Sequence, residues 1–260
     1  MIMFPVIQIG SLSIQSAGLF LLAGFYFALV VTDKAARAAG LDAGKVENTI
    51  LFSCLAGLAG ARLGFLMQNP DVFRNNWVSI VSPNASLLDL SSGFLFALVT
   101  GAILLRKYQL PAYKFMDAIA WGVVLQAIGV LLSNLASGGD LGTMTDAAWG
   151  VQIAGQIRHP VQAYEIILIV ILGWICWQVL VRKRATLPDG VVFFLVTSII
   201  AISLLSMHIF HESASWILNM RAQQLTYLAA LIFSLLFMEC LFTRQASGMK
   251  GLTTINENDG

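Results

Sequence analysis

The chain has 260 residues, 58% of them hydrophobic and only 11% charged, with a formal net charge of +1. A soluble domain carries about 25% charged residues and about 45–50% apolar ones, so this composition excludes a water-facing globular domain. The near-neutral balance, without a basic patch, excludes a nucleic-acid partner.

What remains is an all-α, polytopic membrane bundle, because a backbone in lipid must satisfy its own hydrogen bonds. The first ten residues, Met1 to Gly10, carry no charge. They lack the basic start of a cleavable signal, so the first apolar run is read as a retained helix. A spanning helix needs about 20 mostly apolar residues. Seven runs meet that need, at 13–32, 49–68, 88–106, 114–134, 163–181, 190–209 and 222–242.

Charge orients them. One set of connections holds Lys34, Arg37 and Lys45, then Arg106, Lys107 and Lys114, then Arg182, Lys183 and Arg184, with Arg244 and Lys250 beyond the last run. The opposite set holds Arg74, Arg158 and Arg221. Lys and Arg accumulate on the cytoplasmic side, so seven transmembrane helices run with the N-terminus out and the C-terminus in. Residues 1–245 read as one membrane domain and 246–260 as a flexible cytoplasmic tail. No internal repeat supports an inverted-repeat transporter.

Two outer connections are long, 69–87 and 135–162. Loops beyond about 12–15 residues are functional or disordered. The second is too rich in Trp, Ile, Val and Gly for disorder, and part of it is expected to pack on the bundle. Cys54, Cys176 and Cys240 lie in apolar runs without metal-type spacing and read as small buried hydrophobes.

Several polar residues need a reason. Arg62 sits inside the second helix among Gly57, Gly60 and Gly64. A charge at mid-membrane costs about 2.5–3.5 kcal/mol on the insertion scale. Arg62 therefore either faces a cavity or an anion, or lies near the outer end and snorkels to headgroups. The run Arg158-His159-Pro160-Val161-Gln162-Ala163-Tyr164-Glu165 opens the fifth helix. Pro160 suits a first turn, Gln162 and Glu165 share a face, and a carboxylate is favoured by the helix dipole there. Capping plus an interfacial tyrosine is the plain reading. Five polar or aromatic functional groups within eight residues favour a site. Asn134, with Ser137 and Gly138, closes the fourth helix, as a cap or as a hydrogen-bond donor to lipid. His208, His211 and Glu212 close the sixth. The two histidines share a face, but no third ligand is evident, so no metal is expected.

At these residues the chain resembles the prolipoprotein diacylglyceryl transferase family, over roughly residues 5–240. Pro5-Val6-Ile7-Gln8-Ile9-Gly10 is similar to the family start. Gly60-Ala61-Arg62-Leu63-Gly64 resembles its glycine-glycine-arginine-leucine-glycine motif. Trp149-Gly150-Val151 and the run from Arg158 to Glu165 resemble its most specific signature, and Gln224-Leu225-Thr226 its glutamine-leucine-serine segment. The resemblance implies a seven-helix protein of the bacterial inner membrane with no cofactor. It would move a diacylglyceryl group from phosphatidylglycerol to the lipobox cysteine of a prolipoprotein, releasing glycerol phosphate and forming a thioether. Carried over by position, Arg62, Asn134, Gly142, Arg158, Gln162, Tyr164 and Glu165 would bind lipid. His159, or His208 and His211 from the sixth helix, would supply the proton transfer that the family places elsewhere.

The chain also departs from the family. An arginine expected at the end of the fourth helix is Leu131, and the acidic residue that follows falls on Gly139, beside Asp140. A histidine expected in the third helix is Phe96. The usual tyrosine of the first helix is absent at Ala17-Gly18, and an arginine expected after the sixth helix falls near His211. A thiol attacks as thiolate and needs a base or cation nearby, and a departing phosphate needs cations. The headgroup half of the site is retained and the chemical half eroded. Three functions follow: a divergent transferase acting on phosphatidylglycerol or another anionic phospholipid, a non-catalytic paralogue that binds phospholipid or serves a membrane protein partner, and a transporter or channel. The third is disfavoured by helix centres nearly free of charge apart from Arg62.

Overall fold

The computed structural model describes residues 6–9, 12–71, 87–139, 142–153, 155–183, 187–212, 216–217 and 220–258. Pro5, Arg74, Asp140 and Arg184 of the sequence reading lie outside them. Seven long helices are present among the described residues: α1 Ser16–Ala38, α2 Ala43–Gln68, α3 Leu90–Lys107, α4 Ala112–Ser137, α5 Val161–Lys183, α6 Val191–Met207 and α7 Ala222–Asn258. Each contributes a segment long and apolar enough to cross a membrane, since about 20 residues at about 1.5 Å each cover a hydrocarbon core of ~30 Å. They coincide one for one with the seven runs read from hydropathy. The chain is a multi-pass helical membrane protein.

Among the described residues, three short antiparallel hairpins interrupt the helices. β1 Val6–Ile9 pairs with β2 Leu12–Gln15, β3 Val151–Ile153 with β4 Gln156–Arg158, and β5 Trp216–Ile217 with β6 Met220–Arg221. They precede α1, α5 and α7. Strands of two to four residues are too short to print a readable alternation in sequence, so none was expected.

The chain divides into two compact units, Met1–Ala35 with Met116–Gly260, and Ala36–Phe115. In the smaller unit α2 packs along α3 through small residues. A Cβ at Gly60 would run into the Phe96 ring, one at Gly64 into Ser92, and one at Gly93 would come within 2.8 Å of the Ala61 Cβ. Such contacts let membrane helices approach closely where hydrophobic burial supplies little drive. Asp42 caps α2 through the Lys45 N–H. Asp89 caps α3, accepting from the Ser92 N–H at 2.8 Å and from the Ser92 hydroxyl. These bonds, the hydroxyl's first, hold the Asp89 carboxyl below its ordinary titration range.

In the larger unit α1 meets α4 at Gly24 and Gly129, where a Cβ on Gly24 would lie 2.9 Å from the partner Cα. Ala120, Val124 and Leu131 of α4 join Ile169 of α5 and Val196 of α6 in a buried apolar cluster. The start of α6 has a glycine N-cap, Gly190, with φ +95° and no side chain to offer. Asp117 of α4 serves instead, accepting from Gly190 N–H at 2.7 Å and Phe193 N–H at 3.1 Å, so the orphan amides of that helix are satisfied across the bundle. The cysteines correct the sequence reading in part. Cys176 is buried, but Cys54 and Cys240 are exposed on helix surfaces. Lipid tails are as apolar as a protein interior, so hydropathy alone does not tell the two faces apart.

Candidate functional site

Polar residues of the larger unit gather at the end where α4 and α6 finish and α5 begins. Gly138, at φ +69°, ends α4, and the Asn134 carbonyl accepts from the Gly139 N–H at 3.1 Å. Thr143 and its neighbours meet the turn that follows α6. The Thr143 N–H donates to the Phe210 carbonyl at 2.7 Å, and the His159 N–H to the Thr143 carbonyl at 3.0 Å. Gly142 bridges to His211, and Met144 to Arg158. At Gly142 a Cβ would collide with the His159 carbonyl, so the three segments meet there only because the residue is glycine. The expectation that part of 135–162 packs on the bundle is met by these bonds.

Arg158 ends β4 and is 7% exposed. Its guanidinium donates to the Gly142 carbonyl at 2.9 Å, to the Gln156 side-chain oxygen at 2.5 Å, and to the carboxylate of Glu212, with which it forms an ion pair. Its Nε is buried and has no hydrogen-bond partner among the described residues. Guanidinium has five N–H donors and no acceptor, so the group retains capacity for another oxygen.

One turn into α5, Glu165 is 2% exposed and lies 3.1 Å from Nε2 of His211, itself 6% exposed. The His208 ring packs on that of His211, with centroids 5.2 Å apart. Gln162, also buried, donates from Nε2 to the Gly139 carbonyl at 3.0 Å. Gln162 and Glu165 do share a buried face, and it ties α5 to two different elements. The Pro160 ring opens the helix as expected, and its carbonyl accepts from Ala163 N–H at 3.0 Å.

Beside this polar group lies an aromatic one. Trp149 Nε1 donates to the Tyr164 hydroxyl at 2.8 Å, and that hydroxyl is 3.1 Å from His159 Nδ1. The Phe210 ring packs 5.1 Å from His159, centroid to centroid. Trp149, His159 and Tyr164 form one end of an apolar groove of about 600 Å³ that continues along Ile167 and Ile171 of α5 and Met207 of α6. Polar tips over an apolar channel suit an amphiphile.

The site thus collects His159, His211, Gly142, Arg158, Gln162, Tyr164 and Glu165 of the sequence candidates. Asn134 contributes its backbone carbonyl to the end of α4. Arg62 belongs to the other unit, where it is half-buried and donates from Nη1 to the Leu87 carbonyl at 3.0 Å. Leu131 is buried in the apolar cluster. Phe96 packs against Gly60 on α2. Sequence reasoning missed Glu212 and Gln156 as partners of Arg158. Glu212 follows His211 directly, and a lone buried-range cation at a helix start was the available signal that a counter-charge should be sought there.

Comparison with known proteins bears on this end of the molecule. The family model described as prolipoprotein diacylglyceryl transferase matches residues 5–240. Similar relatives are named phosphatidylglycerol–prolipoprotein diacylglyceryl transferase. That of Bacteroides fragilis is 29% identical over 62% of this chain and 64% of its own length. That of Rickettsia africae is 26% identical over 57% and 61%, and that of Thermus thermophilus 26% identical over 52% and 48%. The chain therefore spans less than two thirds of the curated relatives it matches. The family match covers every residue that builds the polar end of the larger unit, and the chain belongs to the prolipoprotein diacylglyceryl transferase family.

Proposed function

We propose that this chain binds phosphatidylglycerol at the polar end of the larger unit and transfers its diacylglyceryl group to the cysteine thiol of a lipobox prolipoprotein. The observation that carries the reading is a buried guanidinium, Arg158, held beside a buried carboxylate–histidine pair and an apolar groove. In this reading the end lies on the outer face of the bacterial inner membrane, with the N-terminus out, the C-terminus in, a membrane domain over 1–245 and a cytoplasmic tail over 246–260. Arg62 is proposed separately as a headgroup contact of the smaller unit.

The chemistry follows from the residues. Acyl chains occupy the groove, and the phosphate is met by the Arg158 guanidinium. With Nδ1–H donating to the Tyr164 hydroxyl, His159 has Nε2 left to accept the thiol proton. His211, paired with Glu165, is the second candidate for that proton. The thiolate sulfur attacks the glycerol carbon bearing the phosphate. The carbon–sulfur bond forms as the carbon–oxygen bond breaks, and glycerol phosphate departs with the electron pair. Arg158 stabilises the charge that grows on the leaving oxygen.

A second reading is a non-catalytic lipid-binding member that serves a membrane protein partner. It is favoured by one observation: Leu131, which the sequence reading sets where the resembled pattern has an arginine, is buried in an apolar cluster. A transfer assay separates the two. Purified full-length protein is mixed with phosphatidylglycerol and a lipobox peptide bearing a free cysteine, and thioether product is followed beside an active family member. Product above the no-protein control, lost in Arg158→Ala, supports the transferase. No product, with the control enzyme active, supports the second reading.

A further inference from the structure

The Arg158 guanidinium is surrounded unevenly. Gly142 and Gln156 offer it neutral oxygens. Its ion-pair partner among the described residues is the Glu212 carboxylate. The two groups differ sharply in setting: the arginine is almost wholly buried, whereas the Glu212 side chain is 53% exposed. A half-exposed carboxylate loses little when it swings into water, because exposed ion pairs are worth little. A buried cation without a counter-charge is costly. The pair is therefore lopsided. Arg158 needs an anion more than Glu212 needs Arg158.

The position reinforces this. Glu212 directly follows His211, the residue held by Glu165 on one side and by the bridge to Gly142 on the other. The backbone that carries Glu212 is anchored at its neighbour, while the side chain reaches outward. A phosphate that takes the place of the Glu212 carboxylate meets the same Nη1 with a charge-assisted hydrogen bond.

We propose that Glu212 is a resident carboxylate that occupies the anion site of Arg158 and is displaced by an incoming phosphate ester, so that it sets the charge selectivity of the site. The proposal rests on reading Arg158 as a headgroup site. A ligand must bring its own negative charge to replace the one it displaces. A headgroup of net negative charge does so. A zwitterionic one brings an ammonium that interacts with Glu212 where it stands and gains nothing from its removal. The displaced carboxylate then lies near the bound phosphate and weakens it by like-charge repulsion, which keeps the site from holding its ligand or product too tightly.

Binding to full-length protein in detergent tests this, with three probes: dioctanoyl phosphatidylglycerol, dioctanoyl phosphatidylethanolamine and glycerol phosphate. Glu212→Gln keeps the shape and a hydrogen-bonding oxygen but removes the charge. We expect it to bind both net-anionic probes on the order of tenfold more tightly than wild type, and to leave phosphatidylethanolamine unchanged. Arg158→Gln should lose both anionic probes. Tighter binding of the lipid than of glycerol phosphate identifies a lipid headgroup as the occupant, and the reverse a free phosphate ester. If Glu212→Gln binds the anionic probes no more tightly than wild type while Arg158→Gln loses them, the headgroup site stands and the role of Glu212 is overturned. If Arg158→Gln binds them as wild type does, the headgroup reading falls and takes this one with it. Thermal unfolding of each variant separates loss of binding from loss of fold.

Discussion

Glu165 and His211 meet at 3.1 Å with both side chains buried, one from the second turn of α5 and the other just past the end of α6. The contact joins two helices that the sequence separates by 46 positions. Removing one half of a buried hydrogen-bonded pair leaves the other half desolvated without compensation, which costs about 1–3 kcal/mol or more. His211→Ala should therefore lower the unfolding temperature in detergent substantially. Glu165→Gln, whose amide oxygen still accepts a hydrogen bond, should lower it less. Equal unfolding temperatures for wild type and His211→Ala would remove this pair from the account of how the site is held.

Gly142 occupies a point where three segments converge, bridged to His211 and pressed against the His159 carbonyl. Gly142→Ala adds a methyl group where backbone already stands, and overpacking of this kind costs about 1–3 kcal/mol. The expected outcome is a less stable protein in which Arg158 loses its Gly142 carbonyl partner, so phosphatidylglycerol retained through purification should fall as well. Native mass spectrometry of the lipid load, read beside the unfolding temperature, checks both halves. Unchanged lipid retention would mean that the Gly142 carbonyl does not help set the Arg158 site.

Much of this molecule was legible before its structure. Spans declare themselves because about 20 apolar residues have few other uses, and Arg158, His159, Gln162, Tyr164 and Glu165 lie within one short run that a reader can see at once. The partners of those residues were not legible. Glu212 is 54 positions from Arg158, and Gly190 is 73 from Asp117. No local periodicity records such distances. The exposed Cys54 and Cys240 illustrate another limit, since an apolar position faces lipid or protein with the same residue types. Phe96 and Leu131 were singled out in the sequence as departures from the resembled pattern, and the structure gives their surroundings: an α2 glycine for one, an apolar cluster for the other.

Asp89 gives the smaller unit an acid dependence. The Ser92 hydroxyl and N–H both donate to its carboxylate and lower its titration in the folded state. A group with a depressed folded value binds its proton more readily when unfolded. Its stabilisation is therefore present above the ordinary aspartate value of about 4 and is lost as pH falls through the lower, folded value. Wild type should lose unfolding temperature over that acid window more steeply than Asp89→Asn, which still caps α3 but cannot titrate. Parallel pH profiles for the two proteins would assign the acid dependence to other carboxylates.

Leu131 offers the sharpest test of what the family departure means. If the missing arginine were simply a lost catalytic group, Leu131→Arg would restore it. The surroundings argue otherwise. Leu131 is packed with Ala120, Val124, Ile169 and Val196, and nothing in that cluster can accept a guanidinium hydrogen bond. Burying a charge there without a partner is costly, and the larger side chain adds overpacking. Leu131→Arg should therefore give a lower yield of monodisperse protein on fluorescence-detected size exclusion and no gain in thioether product. Phe96→His, by contrast, replaces a half-exposed ring by a smaller one and should fold as well as wild type. Product gained by Leu131→Arg alone would show that the cluster opens to the substrate, and that the apolar packing around Leu131 is not what bars chemistry at that position.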